Sequence, residues 1–149
     1  MNITFSDYRY SAKDFRVEIN TNPISERFAR AQYYLDSQIM NDMTPLMPIQ
    51  SGVFINNTRA QSAATAGTGV ICAAAPPYGR YLYYGKVMVD PETGSTYAPN
   101  GGTKVLTDKN LVFNTSGHSQ AQSHWFEAAK AENLDKWIRV ADKAVKNGL

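Results

Sequence analysis

The sequence has 149 residues, of which 43% are hydrophobic and 19% charged, so it is the size of one domain and disorder of the whole chain is excluded. Fifteen Lys and Arg residues against thirteen Asp and Glu give a net charge of +2, too small for the basic surface that sequence-independent nucleic-acid binding requires. The single cysteine, Cys72, excludes intrachain disulfides and cysteine-rich metal frameworks. Neither a signal peptide nor a long apolar run is visible, so we expect an intracellular soluble product.

The N-terminal third predicts an arm followed by a long helix. Apolar residues alternate with polar ones in Phe15-Arg16-Val17-Glu18-Ile19, which is typical of a strand, and residues 1–22 are predicted as an N-terminal arm or edge strand. Ser25 has the character of an N-cap. An amphipathic helix of about four to five turns is predicted after it, carrying Phe28, Ala31, Leu35 and Ile39 on one face and ending at Pro45 and Pro48.

The middle of the chain predicts short strands joined by loops. Ala, Thr, Ser and Gly fill residues 61–69, which predicts a flexible loop because these side chains carry little apolar bulk. Cys72 is expected to be a small core residue of a buried strand, because it has no basic neighbour. Strands are predicted at 70–73 and 86–89, a short strand or turn at 53–55, and antiparallel pairing of 105–106 with 111–113 around a polar turn at 107–110.

The last 29 residues follow a helical period from about Ala121. One stripe contains Trp125, Ala128, Ala129, Leu134, Trp137, Ile138, Ala141 and Val145, and Asn133 is a candidate bend. We therefore predict an α+β fold with an N-terminal arm or strand, a long amphipathic helix, a small antiparallel sheet and a C-terminal helix or helix pair packed on the sheet. Residues 23–149 are expected to form one domain.

Candidate catalytic and metal-binding residues are few. His118 and His124 are the only histidines, and neither lies in a metal-binding motif. A packed or helix-start histidine is the simpler interpretation of each, and a hydrolase that uses one of them stays an alternative. Asp90 and Glu92 border a Pro-Glu-Thr-Gly turn, where carboxylates commonly bond to their own backbone. No catalytic residue, metal or cofactor is predicted.

An aromatic cluster at residues 78–85 is the most unusual feature of the chain. Four tyrosines occupy seven positions, with a basic residue among them. The tyrosines occupy both odd-numbered and even-numbered positions, so they cannot all point inward from one strand or one helix. Some of them must face solvent or a partner. We predict packing combined with a protein interface, with candidates Tyr78, Arg80, Tyr81, Tyr83, Tyr84 and Lys86. The alternative is a small module that stacks single-stranded nucleic acid on Tyr78, Arg80, Tyr81, Tyr83 and Lys86.

The cluster also carries a resemblance to a known family. Pro76-Pro77-Tyr78-Gly79-Arg80-Tyr81-Leu82-Tyr83-Tyr84-Gly85-Lys86-Val87-Met88-Val89-Asp90-Pro91, with Ser123–Lys130 and Asp135–Trp137, resembles the minor capsid proteins that long-tailed phages of Gram-positive bacteria encode between their major capsid and tail genes. The Pro45-x-x-Pro48 pair and Ser51-Gly52 extend the resemblance, which covers about 28–145. Leu46 stands where an aromatic residue is expected, and Gly79 where Ala is more usual.

The resemblance implies a non-enzymatic virion protein of the head-tail junction, similar to tail-completion proteins and assembled in the host cytoplasm. It implies a six-fold ring of copies between the head connector or stopper and the tail terminator, through which DNA passes without specific binding, and no cofactor, metal or membrane. A ring needs two different complementary surfaces on each copy. We expect the loops at 59–69 and 92–104 to supply contacts and to become ordered on assembly, with candidates Arg59, Thr65, Thr68, Tyr97 and Asn100.

Overall fold

The computed structural model describes residues 5–147 and confirms the α+β class. Two separate antiparallel sheets, each of two strands, accompany four α-helices in this part of the chain. The elements are β1 (Tyr8–Ala12), β2 (Phe15–Ile19), α1 (Asn22–Met43), a 3-10 turn (Thr44–Leu46), α2 (Val53–Ala64), α3 (Gly79–Tyr84), β3 (Lys86–Val89), β4 (Val105–Asn110) and α4 (Trp125–Asn147).

The described part of the predicted N-terminal arm contains a β-hairpin, while residues 1–4 of that prediction lie outside the described residues. The predicted strand at 15–19 is confirmed, and β1 pairs with it so that Tyr8 lies opposite Ile19. The Thr21 amide donates to a carboxylate oxygen of Asp7 at 2.8 Å, and the Thr21 hydroxyl donates to the carbonyl of Phe5 at 2.7 Å. These bonds fasten the base of the hairpin to the start of α1.

The predicted long helix is confirmed as α1, but it begins three residues before Ser25. Pro23 occupies its first turn, where a missing amide proton costs nothing, and the carbonyl of Thr21 accepts the amides of Ile24 and Ser25 at 3.1 Å. The backbone therefore caps the helix without a serine side chain. Pro45 follows in the 3-10 turn that ends it.

The C-terminal residues form one continuous helix, α4, which lies along α1. The bend predicted at Asn133 is wrong, because its side-chain amide donates to the carbonyl of Ala129 at 3.0 Å within the uninterrupted helix. Asp42 of α1 accepts hydrogen bonds from Lys136 (2.6 Å) and from the indole of Trp137 (2.8 Å). The buried core between the helices and the turns beside them contains Ile39, Met40, Met43, Leu46, Met47, Ile55, Trp125, Ala129 and Trp137.

The segment from 53 to 64 contradicts its prediction, whereas residues 65–69 lie outside any helix or strand. Residues 53–64 form helix α2 in place of a short strand or turn and a flexible loop. The buried face of α2 is partly polar: Ser62 donates to the carbonyl of Cys72 at 2.9 Å, and the Thr58 hydroxyl accepts the amide of Ala75 at 3.1 Å. Ile55 joins the apolar core, but the rest of this face is held by hydrogen bonds. A search for apolar residues at helical spacing therefore does not find α2.

A buried carboxylate organises the turn that follows α2. Asp36 accepts the amides of Gly67 at 2.7 Å and Gly69 at 3.2 Å, and the side chain of Gln32 at 2.7 Å. Residues 65–69 therefore form a turn whose hydrogen-bond acceptor lies in α1, some thirty residues earlier in the chain.

Two strand predictions also need correction. Residues 70–73 have no regular structure, and Cys72 is half-buried with its sulfur 3.3 Å from the side-chain oxygen of Gln61. Residues 107–110 belong to β4 rather than to a turn, and residues 111–113 lie outside any strand. The Thr107 hydroxyl donates to the carbonyl of Val87 at 2.8 Å, and Lys86 donates to the side chain of Asn110 at 2.7 Å, which joins β4 to the confirmed strand β3.

Candidate functional site

The aromatic cluster forms the short helix α3 between two glycines. A Cβ atom at Gly79 would lie 2.5 Å from the carbonyl of Ala74, so only glycine fits this contact. Gly85 ends the helix with φ of +62°, a conformation that glycine adopts without strain, and its amide bonds to the carbonyls of Tyr81 and Leu82. The glycines thus set the start and the end of the tyrosine helix.

Tyr83 is the structural member of the cluster. Its ring packs edge-on against Trp125 with a centroid distance of 4.9 Å, and its hydroxyl donates to the Glu127 carboxylate at 2.5 Å. Trp125 is fully buried and donates its indole N–H to the carbonyl of Ala73 at 2.8 Å. Tyr83 therefore joins α3 to the first turn of α4.

The environment of Tyr83 keeps its hydroxyl protonated. Burial is the main cause that raises the pKa of Tyr83 above its ordinary value of 10.0, and the hydrogen bond to Glu127 and the negative charge of that carboxylate act in the same direction. The phenol is protonated at neutral pH even at its ordinary pKa, and the raised pKa keeps it a hydrogen-bond donor further into the alkaline range.

The other members of the cluster face outward to different degrees. Tyr78 is 62% exposed and Tyr84 46% exposed, and Arg80 is exposed as well. Tyr81 is half-buried, with the ammonium of Lys104 5.2 Å from its ring centroid. These residues are available for contact with a partner, and their role as an interface stays a prediction.

A groove of about 1000 Å³ lies beside α3, and we call it the tyrosine groove. Predicted interface residues Tyr78, Tyr81 and Lys86 line it, while Tyr83 and Tyr84 are not part of the lining. Most of its other walls are apolar, including Ile49, Val53, Phe54, Leu82, Val87, Leu111, Val112 and Phe113. Sequence spacing does not predict this groove, because its walls come from five separate segments of the chain.

The remaining predicted interface residues are dispersed. Arg59 donates to the side chains of Asn41 on α1 and of Thr44 in the 3-10 turn. Thr65 donates to the carbonyl of Val70 at 2.7 Å, and Thr68 donates to the carbonyl of Thr65 at 2.6 Å. These three contribute to internal structure. In the loop at 92–104, Tyr97 is 85% exposed and Asn100 lies in an exposed turn.

A second apolar surface was missed by the sequence analysis. The register of the hairpin places Tyr8, Tyr10, Ala12, Phe15, Val17 and Ile19 on one side, which we call the hairpin face. Tyr10 and Phe15 touch across the strands with ring centroids 5.6 Å apart. The alternation of apolar residues on both sides of Lys13-Asp14 contained this signal. Four of the six side chains are largely exposed.

The histidines have structural contacts. His118 shares a hydrogen bond with the carbonyl of Met47 at 2.8 Å, and the ring of His124 lies against Tyr83 and Tyr84, with centroid distances of 5.4 and 5.8 Å. No group of three or more His, Cys, Asp or Glu side chains suited to a metal ion occurs within residues 5–147. The simple interpretation of both histidines as packed residues agrees with these contacts.

Two carboxylates, Asp90 and Asp36, each accept backbone amides in a turn. Asp90 accepts the amide of Thr93 at 2.8 Å and its hydroxyl at 3.0 Å, and these bonds lower the pKa of Asp90 below its ordinary value of 3.8. The glycine amides after α2 are bonded to Asp36. Both sites are thus turns stabilised by a side chain.

Comparison with known proteins supplies the family. In the described part of the chain, no helix combines the length and apolar character needed to cross a bilayer. No curated protein and no solved structure matches the sequence. The family model described as minor capsid protein matches residues 15–145, which include the hairpin strand β2, the tyrosine helix and nearly all of α4. The chain therefore belongs to the minor capsid protein family of phages, which gives it a structural role in the virion.

Proposed function

We propose that this protein is a non-enzymatic component of the phage neck. In this proposal, copies of the chain form a six-fold ring between the head connector or stopper and the tail terminator of a long-tailed phage of a Gram-positive host. The family supports a virion role, and the resemblance of residues 76–91 to head-tail joining proteins supports the position in the neck. Assembly takes place in the host cytoplasm.

The observation that carries the proposal is the extent of bare surface. A compact monomer of 16.5 kDa exposes about 7,500 Å², whereas this chain exposes 10151 Å². The excess of about 2,600 Å² exceeds the area that a standard protein interface removes from both partners, about 1,600 Å². A chain with this surface is shaped as a subunit whose neighbours complete it.

Apolar side chains contribute strongly to that surface. Those that are large and exposed include four on the hairpin face, together with Val53, Tyr78 and Val112 at the tyrosine groove. Contiguous exposed apolar groups mark surfaces that bind other proteins. The hairpin face and the tyrosine groove are two separate surfaces among these, which suits a subunit with two different neighbours.

The low net charge and the internal contacts of the cluster favour a ring through which DNA passes over a module that binds nucleic acid. The net charge of +2 gives little attraction for phosphate. Two residues of the stacking alternative are engaged inside the chain, since Tyr83 bonds to Glu127 and Lys86 to Asn110. The nucleic-acid-binding alternative would be favoured if the protein bound single-stranded DNA in a salt-dependent way and lost that binding when Tyr78 and Tyr81 were replaced with Ala.

The direct test is a nonsense mutation in the gene of a phage that encodes this chain. We expect DNA-filled heads and separate complete tails in electron micrographs, with joining restored by the protein supplied from a plasmid. Joined and infectious particles that lack the protein would refute the neck assignment.

A variant with both histidines replaced tests the non-enzymatic part of the proposal. Asn retains a side-chain amide that can hydrogen-bond and tolerates positive φ, which is +51° at His124. Complementation by His118→Asn combined with His124→Asn should therefore restore joining as well as the native chain does. Folded variant protein that fails to join heads to tails would instead favour the hydrolase alternative.

A further inference from the structure

The hairpin face is an apolar surface without a partner in the described chain. Its opposite side carries Arg9, Ser11, Arg16 and Glu18, with Arg16 and Glu18 paired at 3.2 Å. One side of the ribbon is thus polar and suited to water, while the other is apolar. A two-stranded ribbon is marginally stable alone in water, so the apolar side gains most from being covered.

The tyrosine groove lies at the other end of the molecule. Helix α2 runs antiparallel to α1, since Arg59 bonds to Asn41 and Thr44 while Gly67 lies against Tyr33. The start of α2, which forms a groove wall, therefore lies beyond the C-terminal end of α1. The hairpin is fastened to the opposite, N-terminal end.

The hairpin of one copy cannot fill the groove of the same copy. Helix α1 has 22 residues, which corresponds to about 33 Å at about 1.5 Å per residue. Each hairpin strand has five residues, which corresponds to about 17 Å. Even folded back along α1, the hairpin covers about half of the separation.

We propose that the hairpin face docks in the tyrosine groove of a neighbouring copy of this chain. The proposal rests on the proposed ring and names its contact: each subunit donates its hairpin to one neighbour and accepts the hairpin of the other. Such a contact is heterologous, the type that builds rings. Two contacts of standard size cover about 1,600 Å² of each subunit, which fits within its excess surface and leaves area for the proteins above and below.

Paired cysteines test the contact on the full chain. In a Cys72→Ser background, Phe15→Cys places a thiol on the hairpin face, and Val112→Cys places one in the groove, where Val112 is 97% exposed. We expect the protein with both substitutions to give, after mild oxidation, a ladder of linked subunits that ends at the ring. The reaction is run at high protein concentration and in assembled phage particles.

The matched control moves the first thiol to the other side of the same ribbon. Ser11→Cys combined with Val112→Cys should give at least tenfold less linkage, because Ser11 faces away from the groove. Equal ladders from both pairs, an intrachain disulfide, or no linkage in either preparation would overturn the proposal. Each single-cysteine variant alone should give no ladder, and dominant pairing of Phe15→Cys with itself would show a symmetric hairpin contact instead.

A second experiment distinguishes failure of the docking contact from failure of the neck assignment. Tyr10→Asp should abolish head-tail joining, whereas Ser11→Asp, on the polar side of the same strand, should leave joining within twofold of the native level. Linkage failure in particles that contain the protein at the neck rejects the docking contact and leaves the proposed function intact. Absence of the protein from the neck rejects the proposed function itself.

Discussion

Replacing Asp42 with Ala should separate α1 from α4 more than the loss of a surface ion pair would. The Asp42 side chain is only 13% exposed and accepts hydrogen bonds from Lys136, from the indole of Trp137 and from Gln38. Trp137 is 4% exposed, so its N–H would remain buried without an acceptor. The main cost of the substitution is therefore an orphaned donor rather than a lost charge.

The magnitude follows from the burial of each partner. An unsatisfied buried donor costs about 1–3 kcal/mol, whereas Lys136 is 45% exposed and its ion pair contributes less than about 1 kcal/mol. The free energy of unfolding should fall by about 3 kcal/mol, which corresponds to a lowering of Tm by about 10 °C in a chain of this size. Lys136→Met is the matched control and should cost less than about 1 kcal/mol.

Acid should reduce the difference between the two proteins. Burial alone raises the pKa of Asp42, but its three donors and the charge of Lys136 outweigh it, so this pKa lies below its ordinary value of 3.8. A lowered carboxyl pKa stabilises the fold above the unfolded value, and the stabilisation is lost as the pH falls through the folded value. Urea unfolding of both proteins at neutral pH and near pH 3 measures this change.

A double-mutant cycle decides whether the reasoning is right. Trp137→Phe removes the indole donor, so Asp42→Ala should cost about 1–2 kcal/mol less in that background than in the native chain. An equal cost in both backgrounds would refute the orphaned-donor explanation. A cost that disappears with Lys136→Met instead would assign the stabilisation to the ion pair.

Three further substitutions have expected outcomes. Gly79→Ala should lower the free energy of unfolding by about 1–3 kcal/mol because the new methyl group meets the Ala74 backbone; an unchanged urea midpoint would contradict this. Tyr83→Phe should cost about 1 kcal/mol through the lost bond to Glu127, and the ultraviolet titration should lose a step above pH 10, which an unchanged titration would contradict. Asp36→Ala should speed hydrogen exchange of the two glycine amides that it holds by about tenfold or more, and unchanged exchange there would show another acceptor.

Elements with a strong local period were predictable from the sequence. Alternation identified the strand at 15–19, and spacings of three and four identified α1 and α4. The stripe of α1 and part of the stripe of α4 face the core, where the pattern and the packing agree. The prediction is wrong for Leu134 and Ile138 of α4, which are exposed, and the apolar side of the strand at 15–19 is exposed as well. The α+β class followed from the order of these elements.

Elements held by distant polar contacts were not predictable. Helix α2 contains Thr58 and Ser62 on its buried face, and these hydroxyls find partners at Ala75 and Cys72. The turn after α2 depends on Asp36 in α1. No local pattern encodes such pairings, because each needs two segments that are far apart in the chain to meet.

The candidate site also has features that the sequence predicts and features that only the folded structure shows. Counting tyrosines located the cluster, but only the contacts of Tyr83 with Trp125 and Glu127 separate the structural member from the exposed Tyr78 and Tyr84. The groove needs five segments and cannot be found by motif. The hairpin face, by contrast, was encoded locally on both sides of a two-residue turn.

The arrangement of the two apolar surfaces gives α1 a role beyond packing. On the proposed docking, the donor hairpin and the acceptor groove sit at opposite ends of this helix, so its length and straightness set the distance between successive contacts. A heterologous contact closes into a ring only when every subunit repeats the same rotation. The long contact with α4, fixed by the Asp42 hydrogen bonds, stiffens α1. In the proposed ring, the same interactions that stabilise the fold would therefore also define the geometry with which one copy presents its surfaces to the next.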